Sequence, residues 1–353
     1  MSNPEPEKMI KDQVDYDQVF GALEKIRGRI PEYSDAIAFL DEKNINKDNT
    51  LRFISWLIAF GIIDDENTRA DKLFRKFQDY TNMINEEFNG KIDDPLSCLE
   101  STKAAYVIKA DVDRSIGMFN KMADQLKISV YSTKYAHQHA IRILALLTVK
   151  FHDLSYTQGF DRYILTCYLL ALDFTSQNCL PPTFAEAMTY YLAPVFMRMA
   201  NIHRFIDDLA NTTEYFDHLD KLVAAKYPEL ASILERCGHG SIHYALRWQL
   251  LLFADEYNAR SLFLIWDAIT VNRGNFDDFV TNLCIAHVLQ IPLPKPNEIL
   301  IEKIQTYRDW NVVQALNTTY SLMHPKSETI FNNKTLYLTA GAAALALLYF
   351  FMR

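Results

Sequence analysis

A carboxylate and a guanidinium stand three residues apart in a stretch whose apolar residues recur at helical spacing. The stretch covers residues 102–125, and the pair is Asp111 and Arg114. Residues three apart share one face of an α-helix, so the carboxylate can hold the guanidinium in a chosen rotamer. An arginine held in this way presents a fixed positive charge outward. The alternative is an ordinary surface ion pair, which contributes little to stability.

A second short segment presents a side chain that can orient water at the start of a helix. Tyr156, Gln158 and Gly159 lie between two predicted helices, at 133–150 and 159–173. The glutamine amide carries both a donor and an acceptor, as the positioning of a water molecule requires. Glycine permits a sharp turn or a close backbone approach, and the tyrosine can anchor the loop in the core. The same string also suits a plain connection between helices.

The elements that must position these residues are predicted to be helices throughout. Gly is scarce at 10 and Pro at 12 in 353 residues, whereas all-β folds need frequent turn residues. Apolar residues instead recur at spacings of three and four, as amphipathic helices require. The predicted segments are 17–27, 34–42, 50–63, 68–90, 102–125, 133–150, 159–173, 183–211, 213–226, 228–237, 241–255, 258–271, 275–290 and 297–317. The fold class is therefore all-α, and no strand is predicted.

The chain divides into four parts by composition. Residues 1–16 form a polar lead, 17–317 a single irregular helical domain, and 318–334 a polar tether without periodicity. The segment 335–352 has no charged residue and is long enough, at about 27 Å as a helix, to cross a bilayer. It is predicted to be a transmembrane helix, with a buried core helix as the alternative.

Charge and aromatic residues around this apolar segment favour the membrane. Lys334 and Arg353 flank it, and Tyr337 and Tyr349 lie near its two ends, where membrane interfaces favour aromatic rings. With only Arg353 beyond the segment, the protein is expected to be tail-anchored, with the domain in the cytosol.

Several chemistries find no support in the sequence. The net charge of −8 carries no basic stripe, so nucleic acid is not an expected partner. The five cysteines include no CxxC pair, and His239 and His243, four residues apart, have no third ligand, so no metal site is predicted. There is no P-loop, and the chain is not expected to bind nucleotide itself.

Taken together, the two motifs resemble those of the TBC-domain family of Rab GTPase-activating proteins. The family's patterns are I-x-x-D-x-x-R and Y-x-Q-G, which are represented here by Ile108/Asp111/Arg114 and Tyr156/Gln158/Gly159. Further similarity, over roughly residues 45–290, includes the structural signature residues Trp248, Trp266 and Asp267. Two features depart from the family: Phe160-Asp161 follows Gly159, and the early Arg-x-x-Trp signature is represented only loosely by Arg52 to Trp56.

The resemblance implies a mechanism that uses two residues supplied in trans. Arg114 would be an arginine finger that neutralises charge on the transferred phosphoryl group, and Gln158 would orient the attacking water. Asp111 would fix Arg114, and Gly159 would permit close approach. The partner would be a Rab-family GTPase in its GTP-bound form. GTP and Mg²⁺ would belong to that partner, and no cofactor of the chain's own is implied.

The resemblance extends to the tail-anchored, endoplasmic-reticulum branch of the family, on Asp111-Val112-Asp113-Arg114-Ser115, Tyr227-Pro228-Glu229-Leu230 and the Ala/Gly-rich stretch Gly341–Ala346. It implies tethering in the early secretory pathway, with a mitochondrial or peroxisomal outer surface as an alternative location. Two other functions stay open. One is a catalytically silent TBC-fold scaffold that binds a Rab, and the other is a tail-anchored helical adaptor unrelated to GTPases.

Overall fold

The computed structural model describes residues 14–99, 101–295 and 298–325. Helices dominate these residues, and no strand occurs among them. The α-helices are α1 (Tyr16–Glu24), α2 (Tyr33–Asp41), α3 (Asn49–Ala59), α4 (Arg69–Phe88), α5 (Thr102–Gln125), α6 (Val130–Thr133), α7 (Ala136–Lys150), α8 (Phe160–Gln177), α9 (Pro182–Ala200), α10 (Leu209–Lys226), α11 (Pro228–Arg236), α12 (Ile242–Leu251), α13 (Ala259–Val271), α14 (Phe276–Val288), α15 (Leu300–Thr306) and α16 (Val312–Met323). Short 3₁₀ helices cover Glu66–Thr68, Pro95–Cys98, His152–Leu154, Ile202–Phe205 and Arg273–Asn275. The predicted all-α class is confirmed.

Helix α8 lies at the centre of the molecule and organises the elements that carry the site. It packs against α9, α5, α7 and α3. Every residue from Tyr163 to Thr175 is buried, so the helix is surrounded on all faces. Complete burial of one such Leu or Phe side chain contributes about 2 kcal/mol. The start of α8 is therefore a rigid platform for the segment that precedes it.

A buried carboxylate joins the first and last parts of the domain. Asp267 on α13 accepts from the indole Nε1–H of Trp56 at 2.8 Å and from Arg52 Nε at 3.0 Å, and both donors lie on α3. Lys47 Nζ is a third donor, at 3.1 Å. Because a buried charge must be paired to be tolerated, this arrangement explains why the Arg, the Trp and the Asp occur together. The pair that the sequence matched loosely, Arg52 and Trp56, binds one common acceptor.

The helical body extends slightly past the predicted domain boundaries. Helix α1 begins at Tyr16, and α16 continues to Met323, into the first residues of the predicted tether 318–334. Thr319 is fully buried, and α16 packs against α14, which explains why this stretch is helical. The predicted transmembrane segment 335–352 lies outside the described residues. Among the residues that are described, no helix is both long and apolar enough to span a bilayer.

Candidate functional site

Helix α5 presents Arg114 to solvent from an otherwise anchored face. The helix begins after Ser101, whose side chain accepts from the backbone N–H of Ala104 at 3.2 Å. Ile108 is fully buried and Asp111 is 2% exposed, so this face of α5 packs into the core. The Arg114 side chain is 62% exposed, and its Nη2 donates to Asp111 Oδ1. The outward cation that the spacing predicts is therefore present, with a buried carboxylate behind it.

The segment that carries Gln158 connects α7 to α8 and is held at both of its ends. Leu154, in the short helix His152–Leu154, is buried, and Phe160 at the start of α8 is 2% exposed. Between these two anchors the Gln158 side chain is exposed. It forms no hydrogen bond with any other residue that the structure describes. An exposed amide on a fixed backbone keeps both its donor and its acceptor available to a partner or a water molecule.

Asp111 brings the two segments together. One of its oxygens receives the Arg114 guanidinium, and the other accepts a hydrogen bond of 2.7 Å from the Tyr156 hydroxyl. Burial, and after it the negative charge of Asp161, raises the pKa of Tyr156 well above its ordinary value, so the hydroxyl stays protonated and donates. A single buried carboxylate thus orients the arginine and anchors the loop that presents the glutamine.

Gly159 meets two separate constraints at the start of α8. Its φ of +107° is in the region that favours glycine. A Cβ at this position would also lie 2.9 Å from Leu251 Cδ2. The close approach that a glycine permits here is thus made by the chain's own α12.

The turn after α12 is stabilised by Trp266. Leu252 and Phe253 have φ values of +42° and +62°, which are strained for residues with a side chain. The Trp266 indole donates to the Leu252 carbonyl at 3.0 Å, and its ring lies 5.8 Å from that of Tyr163 on α8. Trp248 stacks on Phe253, with the ring centroids 5.9 Å apart. The signature residues Trp248 and Trp266 are therefore core residues that pack on the turn after α12, and Asp267 joins α13 to α3.

One neighbour of the glutamine segment was not predicted from the sequence. His203, in the short helix Ile202–Phe205, has Nε2 3.5 Å from Thr157 Oγ1 and Nδ1 3.3 Å from Asp207 Oδ2. Its ring also packs edge-on against Phe160 at 5.9 Å. His203 lies more than forty residues from Gln158 in the chain, and no local pattern indicates that they meet.

Comparison with known proteins establishes the family. The sequence model of the Rab-GTPase-TBC domain matches residues 49–292, which is more than half of the chain. The chain belongs to the Rab-GTPase-TBC domain family. Family membership implies a Rab GTPase as the partner and supports a GTPase-activating function.

A solved structure shows the same fold. The crystal structure of the Ypt/Rab-GAP domain of Gyp1p matches with a TM-score of 0.63 and 15% sequence identity, over 88% of this chain and 98% of that one. No curated protein sequence matches. The resemblance to the TBC family is thus confirmed, whereas neither comparison supports the finer assignment to the tail-anchored, endoplasmic-reticulum branch.

Proposed function

We propose that this protein accelerates GTP hydrolysis by a Rab-family GTPase, with Arg114 as an arginine finger and Gln158 as a glutamine finger, both supplied in trans. In phosphoryl transfer from GTP, negative charge spreads over the γ-phosphoryl oxygens while water attacks in line. A catalyst of this reaction must neutralise that charge and orient the water. The exposed guanidinium and the exposed amide of this site have the chemistry for these two tasks.

The observation that carries the proposal is the shared carboxylate of Asp111. Because Asp111 binds both Arg114 and Tyr156, the cation and the glutamine segment are fixed relative to one another before a partner binds. Electrostatic stabilisation is most effective when the groups that provide it need no rearrangement during the reaction. In other GTPases an arginine finger is worth on the order of 10³–10⁵ in rate.

The nucleotide and Mg²⁺ belong to the partner in this mechanism, so the chain contributes side chains and no cofactor. The proposal extends to location: the segment 335–352 would tether the domain to a membrane of the early secretory pathway, most simply the endoplasmic reticulum. Tethering would restrict the domain to GTPases on the same membrane. Flotation of the full chain with phospholipid vesicles, and loss of flotation when the chain ends at residue 325, would support this part.

The activity is tested by single-turnover GTP hydrolysis by a panel of Rab GTPases, with the full chain in detergent. Acceleration of one or a few Rabs should fall at least a hundredfold with Arg114→Ala and with Gln158→Ala. Arg27→Ala is the matched control for the first variant, because Arg27 is also an exposed arginine in an i,i+3 ion pair, with Glu24. Gln314→Ala, at an exposed glutamine, is the control for the second.

The outcomes separate the two functional classes. Loss of acceleration in both finger variants but in neither control supports catalysis. Binding to a GTP-loaded Rab without any acceleration, by a folded chain, would instead indicate a catalytically silent scaffold on the TBC fold.

A further inference from the structure

A second buried contact joins the helix that carries Arg114 to the helix that follows Gln158. Ser115, directly after Arg114 on α5, is 2% exposed, and Asp161, in the first turn of α8, is 3% exposed. The Ser115 hydroxyl donates to Asp161 Oδ2 and also lies 2.9 Å from the carbonyl oxygen of Asp111. A hydroxyl has a single proton, and a carboxylate is the stronger acceptor of the two.

Positive charge around Asp161 makes a buried carboxylate tolerable at this position. Arg162 Nη1 lies 3.9 Å from Asp161 Oδ2, while Arg162 Nε is paired with Asp255 Oδ1 at 2.9 Å. The N-terminus of α8 provides further positive potential, because Asp161 lies in its first turn. Arg162 is therefore shared with the turn after α12, and the hydroxyl of Ser115 remains a direct donor to Asp161.

The positions of the two contacts are informative. On α5, Asp111 and Ser115 are one turn apart and lie on either side of Arg114 in the sequence. In the other segment, Tyr156 and Asp161 lie on either side of Gln158. Two hydrogen bonds therefore join the residues around Arg114 to those around Gln158. Asp111 binds Tyr156, and Ser115 binds Asp161. The Asp111–Tyr156 bond restrains the chain just before Gln158, and the Ser115–Asp161 bond restrains the first turn of α8 just after it, so the glutamine segment is held to α5 on both sides.

We infer that Ser115 and Asp161 are positioning residues that hold the arginine and glutamine fingers in register. This inference rests on the proposed function, since it assigns a role in the same reaction. The residues act through α5 and α8 and not by contact with the nucleotide. A misplacement of about 1 Å in a catalytic group can cost on the order of a hundredfold in rate. The loss of one of two contacts should therefore lower the maximal rate without abolishing binding of the GTPase.

The kinetic test uses Ser115→Ala and Asp161→Ala in the full chain, in the same single-turnover reaction. The rate at saturating activator should fall about tenfold in each, while the half-saturating concentration changes less than about twofold. Asp161→Asn keeps an acceptor oxygen for Ser115 and should restore most of the rate. In an Arg114→Ala background, Ser115→Ala should lower the rate much less, because only one finger then remains to be positioned.

Thr189→Val is the matched control for the loss of a buried hydroxyl. Thr189 is fully buried on α9, a helix that carries neither finger, and its hydroxyl donates to the Ala185 carbonyl one turn earlier at 2.7 Å. A merely structural role for Ser115 predicts that Ser115→Ala and Thr189→Val lower stability alike and leave the saturating rate unchanged. That result would overturn the inference even though Arg114→Ala still abolished activity.

A measurement without any GTPase keeps the inference separate from the proposed function. Amide hydrogen exchange of the free chain should be faster over residues 155–162 in Ser115→Ala than in the parent, and unaltered there in Thr189→Val. If the parent accelerated no Rab, the proposed function would fail, and exchange would still test the contact. Unchanged exchange over 155–162 in Ser115→Ala would overturn the inference.

Discussion

At the scale of single residues, the site depends on one carboxylate that accepts hydrogen bonds from two different side chains. Asp111 is buried, and its oxygens accept hydrogen bonds from the Arg114 guanidinium and the Tyr156 hydroxyl in place of water. Hydrogen bonds to a charged group are stronger than those between neutral groups, and a buried charge that loses a donor becomes unfavourable. Tyr156 therefore holds the glutamine segment in place as directly as Asp111 does.

Removal of one hydroxyl tests this view. Tyr156→Phe should lower the saturating rate of GTP hydrolysis about tenfold, because the ring remains and only the donor to Asp111 is lost. The effect is measured as the maximal single-turnover rate on the preferred Rab. Tyr131→Phe, at a tyrosine that is 69% exposed, is the matched control and should leave the rate unchanged. Equal rates for the parent and Tyr156→Phe would show that the hydrogen bond does not position Gln158.

At the scale of elements, the sequence predicted a helix accurately where local signals define both of its ends. The segment 102–125 coincides with α5, because a Ser cap and a long apolar periodicity define that helix locally. The segment 183–211 was predicted as one helix, and this was wrong. Helix α9 ends at Ala200, where Asn201 adopts a φ of +42°, and the short helix Ile202–Phe205 follows before α10 begins.

Contacts between distant segments account for the rest of what the sequence did not predict. The motifs include Asp111 and Tyr156 but do not indicate that these two residues bind each other, and they do not indicate the pair formed by Ser115 and Asp161. Ser115 and Asp161 are 46 positions apart, and their hydrogen bond depends on how α5 packs against α8. Spacing within one helix indicates which residues share a face, whereas the partner of that face is set by tertiary packing. The same holds for Asp267, because Arg52 and Trp56 on α3 donate to it only through the packing of distant parts of the chain.

Gly159 provides a prediction at this scale. Gly159→Ala should lower the free energy of unfolding by about 1–2 kcal/mol, because an alanine at φ +107° is strained and its Cβ meets the Leu251 side chain. Gly90→Ala, at φ +78° in open space, measures the cost of the backbone alone. Gly117→Ala, within α5 and in open space, should instead stabilise by about 1 kcal/mol. Urea unfolding of the three variants gives the comparison, and a Gly159→Ala cost no larger than that of Gly90→Ala would exclude a contribution from Leu251.

At the scale of the whole molecule, buried histidines make the domain sensitive to acid. Burial lowers the pKa of His139 and of His287 to about 4, in each case from an ordinary value of 6.5. His139 Nδ1 lies 2.9 Å from the Tyr168 hydroxyl, and His287 Nε2 lies 2.6 Å from that of Tyr257. Both rings are neutral in the folded state near neutral pH. As the pH decreases, these histidines are protonated in the unfolded chain before they are protonated in the folded one.

The sign of the pH dependence follows from these two groups. Since the folded pKa lies below the unfolded one, stability is full above about pH 6.5 and falls as the pH decreases toward 4. The loss is roughly 3 kcal/mol for each histidine over this interval. Urea unfolding at pH 7.5, 6 and 5 should show the decline in the free energy of unfolding. His287→Gln should reduce the slope of that decline, because one proton fewer is then taken up on unfolding. A free energy of unfolding that stayed constant between pH 6.5 and 5 would contradict the assignment.

In many GTPases a glutamine of the GTPase itself, the switch glutamine, orients the attacking water. We propose that Gln158 performs this task in place of the switch glutamine of the partner Rab. The most direct test is single-turnover hydrolysis by the preferred Rab in which that glutamine is replaced by alanine, with the parent chain and with Gln158→Ala. We expect strong acceleration of the altered Rab by the parent chain, and none by Gln158→Ala. If the altered Rab were no longer accelerated by the parent chain, the water would be oriented by the GTPase itself, and the role assigned to Gln158 would be wrong.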